Sequence, residues 1–189
     1  MVWIFRIVLI MVMLGSGPLA LARSKAERLA ERAAKVVANQ LAQAPVANEV
    51  CFSPSDPCEV KLVKFISSAK KSLDVAVFDV NLDSVIDALI EASVRIPVRV
   101  LVERRNSKNH HSGVPKMVRK GIKVRFGRQK GIMHHKFVIV DGTRLEIGSF
   151  NFTNGAANSN QENQVYLEVE PIVSTFRKQF EKMWSLSLQ

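Results

Sequence analysis

The sequence is short of acidic residues, contains only two cysteines and has no segment that repeats at a fixed period. The absence of repeats excludes a solenoid protein. Hydrophobic residues make up 47% of the 189 positions and charged residues 23%, which excludes a disordered or collagen-like chain. Because a chain of this length can bury a sizeable core without a metal, we expect a single globular domain with a short appendage.

The shortage of acids leaves a large positive charge. Lysine and arginine number 27, whereas aspartate and glutamate number 17, so the net charge at pH 7 is +10. Such an excess favours polyanionic partners, either nucleic acid or an acidic membrane surface. The alternative is a basic surface that only keeps the protein soluble.

The most apolar segment, residues 1–22, lacks the uninterrupted run of about 20 apolar residues that a membrane-spanning helix needs. Its run Ile7–Leu14 lies between Arg6 and a Gly-Ser-Gly-Pro break, and Ala20-Leu21-Ala22 suits a cleavage site. This layout predicts a secretory signal peptide, with a retained membrane anchor as the alternative. In either case we expect the remaining chain outside the cytosol: periplasmic or secreted, or associated with the membrane through residues 1–22.

The two cysteines, Cys51 and Cys58, are too few for a zinc site, because all four histidines lie far along the chain. In an oxidising compartment they are expected to form a local disulfide. Two free thiols are the alternative.

Hydrophobic periodicity divides the chain into two regions. Residues 23–48 are predicted to form an amphipathic helix and linker, with apolar side chains at helical spacing over residues 24–44. Residues 49–189 form the predicted single domain. Its predicted helices are 59–71, 82–94, 114–120 and 172–184, and its predicted strands are 73–80, 97–103, 122–126, 134–140, 144–149 and 164–169. Strands that alternate with helices and end in a hairpin predict an α/β fold, with a mixed β-sheet flanked by helices on both faces.

The densest chemical signal is a hairpin that carries imidazole, ammonium, hydroxyl and amide groups. Strand alternation places His134 and Lys136 on one face, and Ser149 and Asn151 share a face of the returning segment. The tight turn predicted at Asp141-Gly142 can bring these four side chains to one patch. The set suits a phosphate group: lysine supplies positive charge, serine and asparagine supply hydrogen bonds, and histidine changes its protonation near neutral pH.

Acidic side chains near this patch are few. They are Asp141, Glu146 and Glu162, and they do not form the carboxylate cluster of a two-metal site. We therefore expect chemistry that uses no metal and no other cofactor.

The complete pattern, H-x-K-x4-D-x6-G-S-x-N, resembles the HKD signature of the phospholipase D superfamily. The likeness extends over about residues 50–187 and is greatest to the small, single-motif members, which are secreted bacterial endonucleases and mitochondrial-surface nucleases. The signature is specific for the superfamily but not for the substrate, because lipases, nucleases and synthases share it.

The resemblance implies a role for each residue of the pattern. His134 is similar to the nucleophile that forms a covalent phosphohistidine intermediate, and Lys136 to the lysine that binds the phosphate. Ser149 and Asn151 match the serine and asparagine of the phosphate site. Asp141 matches the aspartate, for which the resemblance implies a structural or electrostatic role, in agreement with strand alternation that turns it away from His134.

One acid downstream of the pattern also has a counterpart in the superfamily. Glu162 resembles the carboxylate that orients the nucleophilic imidazole. The alternative is an ordinary exposed acid near the start of a strand.

The implied reaction needs an acid for the leaving oxygen as well as a nucleophile. The sequence contains a single motif; His135 faces away from the patch, and His110 and His111 lack the pattern. A twofold homodimer would place two copies of His134 at one shared active site, as the likeness to single-motif members also implies.

The region before the motif points to a substrate. Residues 104–136 contain 11 basic residues, no acid and all four histidines, and Arg104 and Arg105 follow a predicted strand at the edge where α/β proteins bind ligands. We therefore expect the backbone of DNA or RNA as the partner and non-specific endonuclease activity as the function. A phospholipase D that hydrolyses phospholipid headgroups is the alternative, and a nucleic-acid-binding module that has lost catalysis is a third.

Overall fold

The computed structural model describes residues 48–127 and 131–188. The signal peptide or anchor predicted for residues 1–22 lies outside the described residues, as does the helix and linker predicted for residues 23–48, except Asn48. Within the described part of the chain, no helix is both long enough and apolar enough to cross a membrane.

Seven strands of the described residues form one mixed sheet. Along the chain they are β1 (Glu49–Ser53), β2 (Leu73–Val77), β3 (Val98–Val102), β4 (Lys123–Phe126), β5 (Lys136–Val140), β6 (Arg144–Gly148) and β7 (Glu162–Leu167). Their order across the sheet is β1-β7-β6-β5-β2-β3-β4. The neighbours β2, β3 and β4 run parallel, and the other neighbouring pairs are antiparallel.

Helices cover both faces of this sheet. They are α1 (Cys58–Ser67), α2 (Asp83–Ser93), α3 (Val114–Arg119), α4 (Asn154–Asn158) and α5 (Glu170–Leu186), and a 3-10 turn spans Asn106–Lys108. One hydrophobic layer joins a face of the sheet to α1, α2, α3 and α4, and a second layer joins the opposite face to α5. The predicted α/β fold, a mixed sheet flanked by helices on both faces, is confirmed.

The central strand β2 shows how the sequence produces this arrangement. Its five residues, LDVAV, are all buried, as expected for a strand covered on both faces. Val75 and Val77 face the first layer, and Ala76 faces the second. The one charge, Asp74, accepts hydrogen bonds from Arg99 on β3 at 2.6 and 2.8 Å, which compensates for its burial.

The hairpin between β5 and β6 turns at the predicted dipeptide. Asp141 and Gly142 have positive φ angles of 57° and 70°, and the N–H of Thr143 donates to the carbonyl of Val140 at 3.1 Å. Two left-handed central residues match the twist of the flanking strands. This turn sets the pairing register between β5 and β6, and the motif residues lie on or next to these two strands.

β1 and α4 are not predicted from the sequence. In β1, Cys51 and Ser53 are buried, whereas Val50 and Phe52 are 50% and 54% exposed. The alternation covers only five residues, and its partner β7 is distant in sequence. The helix α4 is also only five residues long. Both elements are too short for a periodic signal.

Two strands of the domain begin two residues away from their predicted starts. The strand predicted at 134–140 begins at Lys136, because β2 ends opposite this residue. The strand predicted at 164–169 begins at Glu162, because pairing with Ser53 of β1 extends it. His134 therefore lies in the segment before β5, and Glu162 is the first residue of β7.

A disulfide joins Cys51 of β1 to Cys58, the first residue of α1. Their Cα atoms are 5.7 Å apart, and both side chains are buried. The bond ties the edge strand to the first helix.

Candidate active site

The sheet topology brings distant segments to one edge. β2 and β3 are parallel and end there, and β5 begins there because it is antiparallel to β2. By the same alternation β6 ends and β7 begins at this edge. The edge therefore collects the segment before β5, the segment after β6 and the first residue of β7, which carry His134, Ser149 and Glu162.

The exposed ring of His134 is held between Lys136 and Phe78. Lys136 Nζ lies 3.0 Å from His134 Nδ1 and donates to the His134 carbonyl at 2.9 Å. The ring centroids of Phe78 and His134 are 4.5 Å apart, and Lys136 Nζ lies 5.1 Å from the Phe78 centroid. Burial lowers the pKa of Lys136, whereas the charge of Glu162 opposes this shift. An ammonium group with reduced hydration has more to gain from a bound anion.

Ser149 connects the end of β6 to the start of β7. Its Oγ donates to the Glu162 carboxylate and accepts the N–H of Asn163 at 3.1 Å. Asn160 Nδ2 donates to the other Glu162 oxygen at 2.9 Å. Within the described residues Glu162 makes no hydrogen bond to His134, so its connection to the site passes through Ser149 and through its charge near Lys136.

Asn151 lies between two fully buried aromatic residues, Phe150 and Phe152. Its Oδ1 atom is buried and has no hydrogen-bond partner among the described residues. The N–H of Phe152 donates to the carbonyl of Asp79 at 3.1 Å. This bond fixes the segment that carries Ser149 and Asn151 to the chain that follows β2.

The structure places Asp141 outside this site. It follows the far end of β5, and the five residues of that strand span about 16 Å. Its carboxylate accepts the N–H groups of Lys70, Lys71 and Ser72 at 2.6 to 3.2 Å. Burial alone would raise the pKa of Asp141, but these N–H groups lower it below its ordinary value. The helix predicted at 59–71 ends before these residues, at Ser67.

His135 points to the opposite face from Lys136. Its ring centroid lies 5.7 Å from that of Phe137, and it lines a small cavity with Met183 and Leu186 of α5. Burial lowers the pKa of His135, and the charges of Lys136 and His134 lower it further. Both effects favour the neutral form of the His135 imidazole.

The arginines predicted to bind substrate follow β3 at the same edge. Arg104 and Arg105 are exposed, and among the described residues no acidic side chain pairs with either of them. The adjacent Glu103 accepts the N–H of Met133 at 2.7 Å and the N–H of Arg105 at 3.3 Å. Glu103 thus fixes the residue before His134 to the start of the basic loop.

Known proteins share this arrangement. The family sequence profile described as "Cardiolipin synthase, PLD-like domain" matches residues 62–184. A phospholipase D of Rickettsia bellii is 30% identical over 73% of this chain and is covered over 68% of its own length. The chain belongs to the phospholipase D superfamily.

Other members of the superfamily carry different names. Mitochondrial cardiolipin hydrolases of Chlamydomonas reinhardtii and Xenopus laevis are 32% and 33% identical over 67% and 69% of this chain. The chain spans 57% and 62% of the length of these relatives. The solved structure of Nuc, a phospholipase D family member from Salmonella typhimurium, has a TM-score of 0.71 and 27% identity, and covers 75% of this chain and 95% of its own.

Three residues of this phospholipase D-type site are not predicted from the sequence. Phe78 packs against His134, Glu103 holds the segment before it, and Asn160 binds Glu162. An aromatic residue, an acid and an amide at strand or loop ends are common, so no local pattern distinguishes them. Among the described residues, no group of three or more histidines, cysteines and acids is placed to hold a metal ion.

Proposed function

We propose that this protein is a phosphodiesterase that hydrolyses nucleic acid phosphodiester bonds, without sequence specificity and without a metal, through a covalent phosphohistidine intermediate on His134. Two features support this proposal. The imidazole, ammonium and hydroxyl groups of the superfamily motif lie together at one edge of the sheet. An exposed basic loop begins beside them.

In the proposed reaction a nitrogen of His134 attacks phosphorus, and the bond from phosphorus to the leaving oxygen breaks. Water then breaks the new nitrogen–phosphorus bond and regenerates the imidazole. Lys136 faces Nδ1 in the structure, so attack by Nε2 requires Lys136 to turn to the phosphate while Nδ1 takes the ring proton. Ser149 can donate to a nonbridging oxygen only if its single hydroxyl hydrogen turns from the Glu162 carboxylate, which accepts it in the structure, to the phosphate.

The leaving oxygen needs a proton, which we propose that a second copy of His134 supplies across a twofold axis. His135 does not fit this role because it faces α5. A homodimer would bring two imidazoles and two copies of Lys136 to one phosphate. The positive charge gathered there would favour binding of an anion.

The basic loop after β3 is the observation that favours nucleic acid as the substrate. Arg104, Arg105 and Lys108 are exposed, and no described acid pairs with them. Glu103 connects this loop to Met133, directly before His134. Unpaired cations beside a phosphate site suit a chain of phosphates.

Hydrolysis of phospholipid headgroups is the second candidate, and the names of the relatives favour it. Several are called cardiolipin hydrolase or phospholipase D.

We propose that the protein works outside the cytosol, secreted, periplasmic or anchored through residues 1–22, and the buried disulfide supports this location.

The test compares substrates directly. The purified protein is incubated with single-stranded DNA, duplex DNA, RNA, and vesicles of cardiolipin or phosphatidylcholine, in excess EDTA. We expect nicked or shortened nucleic acid, no release of lipid headgroups, and loss of activity in His134→Asn. The matched control, His135→Asn, should keep most of the activity.

Release of headgroups without cleavage of nucleic acid would replace the proposed function by the lipid alternative. Binding of nucleic acid without cleavage of any substrate would favour the non-catalytic module. Loss of activity in EDTA that magnesium restores would contradict the metal-free mechanism.

A further inference from the structure

We propose that the adjacent rings of His110 and His111 form a subsite for a nucleobase next to the scissile phosphate. This proposal rests on the proposed nuclease function and assigns a role to residues outside the motif. The two rings have centroids 3.6 Å apart and planes inclined by 45°. Both side chains are exposed, and neither forms a hydrogen bond within the described part of the chain.

The pair borders a groove with polar walls. The groove has a volume of about 260 Å³ and is lined by Asp79, Asn81, Asn109, His110, His111 and Ser112. A second depression of about 330 Å³ continues from it and shares Asn81, His111 and Ser112 with it.

Three contacts place this groove beside the active site. Asp79 follows Phe78, whose ring lies against His134. The Asp79 carbonyl accepts the N–H of Phe152, the residue after Asn151. The N–H of Gly113 donates to the carbonyl of Val80 at 2.8 Å, so the end of the histidine loop is fixed to the same segment. A strand bound at His134 that leaves along the segment after β2 therefore reaches the histidine pair.

The chemistry around the pair matches a nucleotide. Arg104, Arg105 and Lys108 are exposed on the same loop, where they can bind phosphates that flank the base. Asn109 and Asn81 line the same groove and supply amide groups there. Aromatic rings stack on any base, and exposed bases of single strands are the usual target. This subsite accordingly predicts a preference for single strands with little sequence dependence.

The headgroup of cardiolipin does not use these features. Glycerol has no flat face that could stack on the two imidazoles. An alternative role as general acid would need an ionisable imidazole, whereas stacking needs only a flat ring. Replacement by phenylalanine separates these two roles.

The test uses the double variants His110→Ala/His111→Ala and His110→Phe/His111→Phe, with Val94→Ala, at the exposed residue after α2, as the control for a surface change. Two substrates are compared: a single-stranded oligonucleotide, and the same strand in which abasic residues replace the nucleotides. Cleavage gives KM and kcat, and anisotropy with the additional change His134→Asn gives Kd without turnover.

For the wild type we expect KM and Kd to be about tenfold lower for the natural strand than for the abasic strand, as expected from stacking of one base. The alanine pair should abolish this ratio, and the phenylalanine pair should restore it to within about twofold. Val94→Ala should keep the wild-type ratio.

Several outcomes would overturn the proposal. They are a ratio near one in the wild type, an unchanged ratio in the alanine pair, and a phenylalanine pair as poor as the alanine pair. An equal loss of kcat on both strands would assign the pair to catalysis instead. Binding with the expected ratio but no cleavage would refute the proposed function alone, whereas an effect of the alanine pair only on cardiolipin vesicles would refute both proposals.

Discussion

Three carboxylates on neighbouring strands and turns occupy different environments, and each environment sets a different role. The Asp141 carboxylate accepts backbone N–H groups, which keep it ionised. Glu162 is bound by Ser149 and Asn160 at the proposed site. Glu146 is fully buried on β6, and its two oxygens have no hydrogen-bond partner among the described residues. Because the three environments differ, substitution of each carboxylate should have a different effect on the protein.

For Asp141→Asn we expect a loss of stability and not of catalysis. An amide keeps one oxygen and loses the charge, so the free energy of unfolding should fall by about 1–3 kcal/mol. Because the pKa of Asp141 is depressed, the wild-type advantage is present above the ordinary value of 3.8 and is lost as the pH falls through the folded-state pKa. Urea unfolding and kcat measure the two effects. A stable variant as inactive as His134→Asn would make Asp141 a catalytic residue.

Glu146→Gln should stabilise the protein increasingly as the pH rises. Burial raises the pKa of Glu146 to about 8 from 4.5, so the folded state holds a proton that the unfolded state releases between these values. Wild-type stability therefore falls with pH in this window, by at most about 1.4 kcal/mol per pH unit from this group. Urea unfolding from pH 5 to 8 compares the slopes. Equal slopes in wild type and variant would show that Glu146 ionises normally.

At the scale of elements, the site depends on which strand ends meet. β2 and β3 end at the edge where β5 begins, so the basic loop after β3 lies beside the histidine segment before β5. The loop and the motif belong to different elements, and Glu103 is the contact between them. Changes to this loop should therefore affect docking of the substrate and not the chemical step.

The paired substitution Arg104→Ala/Arg105→Ala should flatten the salt dependence of nucleic acid binding. If each arginine neutralises one phosphate of a single strand, the slope of log K against log salt should decrease by about 1.4 in magnitude. Titrations at several salt concentrations give this slope. Lys178→Ala/Lys182→Ala, exposed on α5, is the matched control and should keep the wild-type slope. An unchanged slope in the arginine pair would move the docking surface elsewhere.

Local features of these elements can be predicted from the sequence, whereas contacts between distant segments cannot. The β5–β6 hairpin follows from Asp141-Gly142, whose preference for left-handed backbone is local. The partner of β1 is β7, which is distant in sequence: Ser53 lies opposite Glu162. The contact between Phe78 and His134 depends on β5 lying antiparallel to β2, which no short pattern specifies. The motif can be recognised in the sequence alone, whereas the residues that contact it are brought there by the topology of the sheet.

At the scale of the whole molecule, one chain carries one copy of His134, and the proposed reaction needs a nucleophile and an acid. The site lies at an open edge of the sheet, and His134 is exposed. A second copy of the chain is the simplest source of the acid. Mixing active and inactive chains tests whether the proposed dimer shares one active site.

Mixtures of wild-type and His134→Asn chains should lose activity as the square of the wild-type fraction after full exchange of subunits. One phosphate then needs both histidines, so mixed dimers are nearly inactive. Activity at a series of mixing ratios, with sizing at the assay concentration, measures this. A linear decrease, or a fully active monomer, would contradict the shared site and leave His110, His111 or Glu162 as the acid.

Trapping the covalent intermediate shows whether His134 is the nucleophile. The protein is mixed with a single-stranded oligonucleotide, quenched in alkaline denaturant within the first turnover and digested for mass spectrometry. In excess EDTA we expect a nucleotide phosphate on the peptide that contains His134, and no such adduct in His134→Asn. Cleavage of the oligonucleotide without any adduct, or an adduct on another residue, would show that His134 is not the nucleophile.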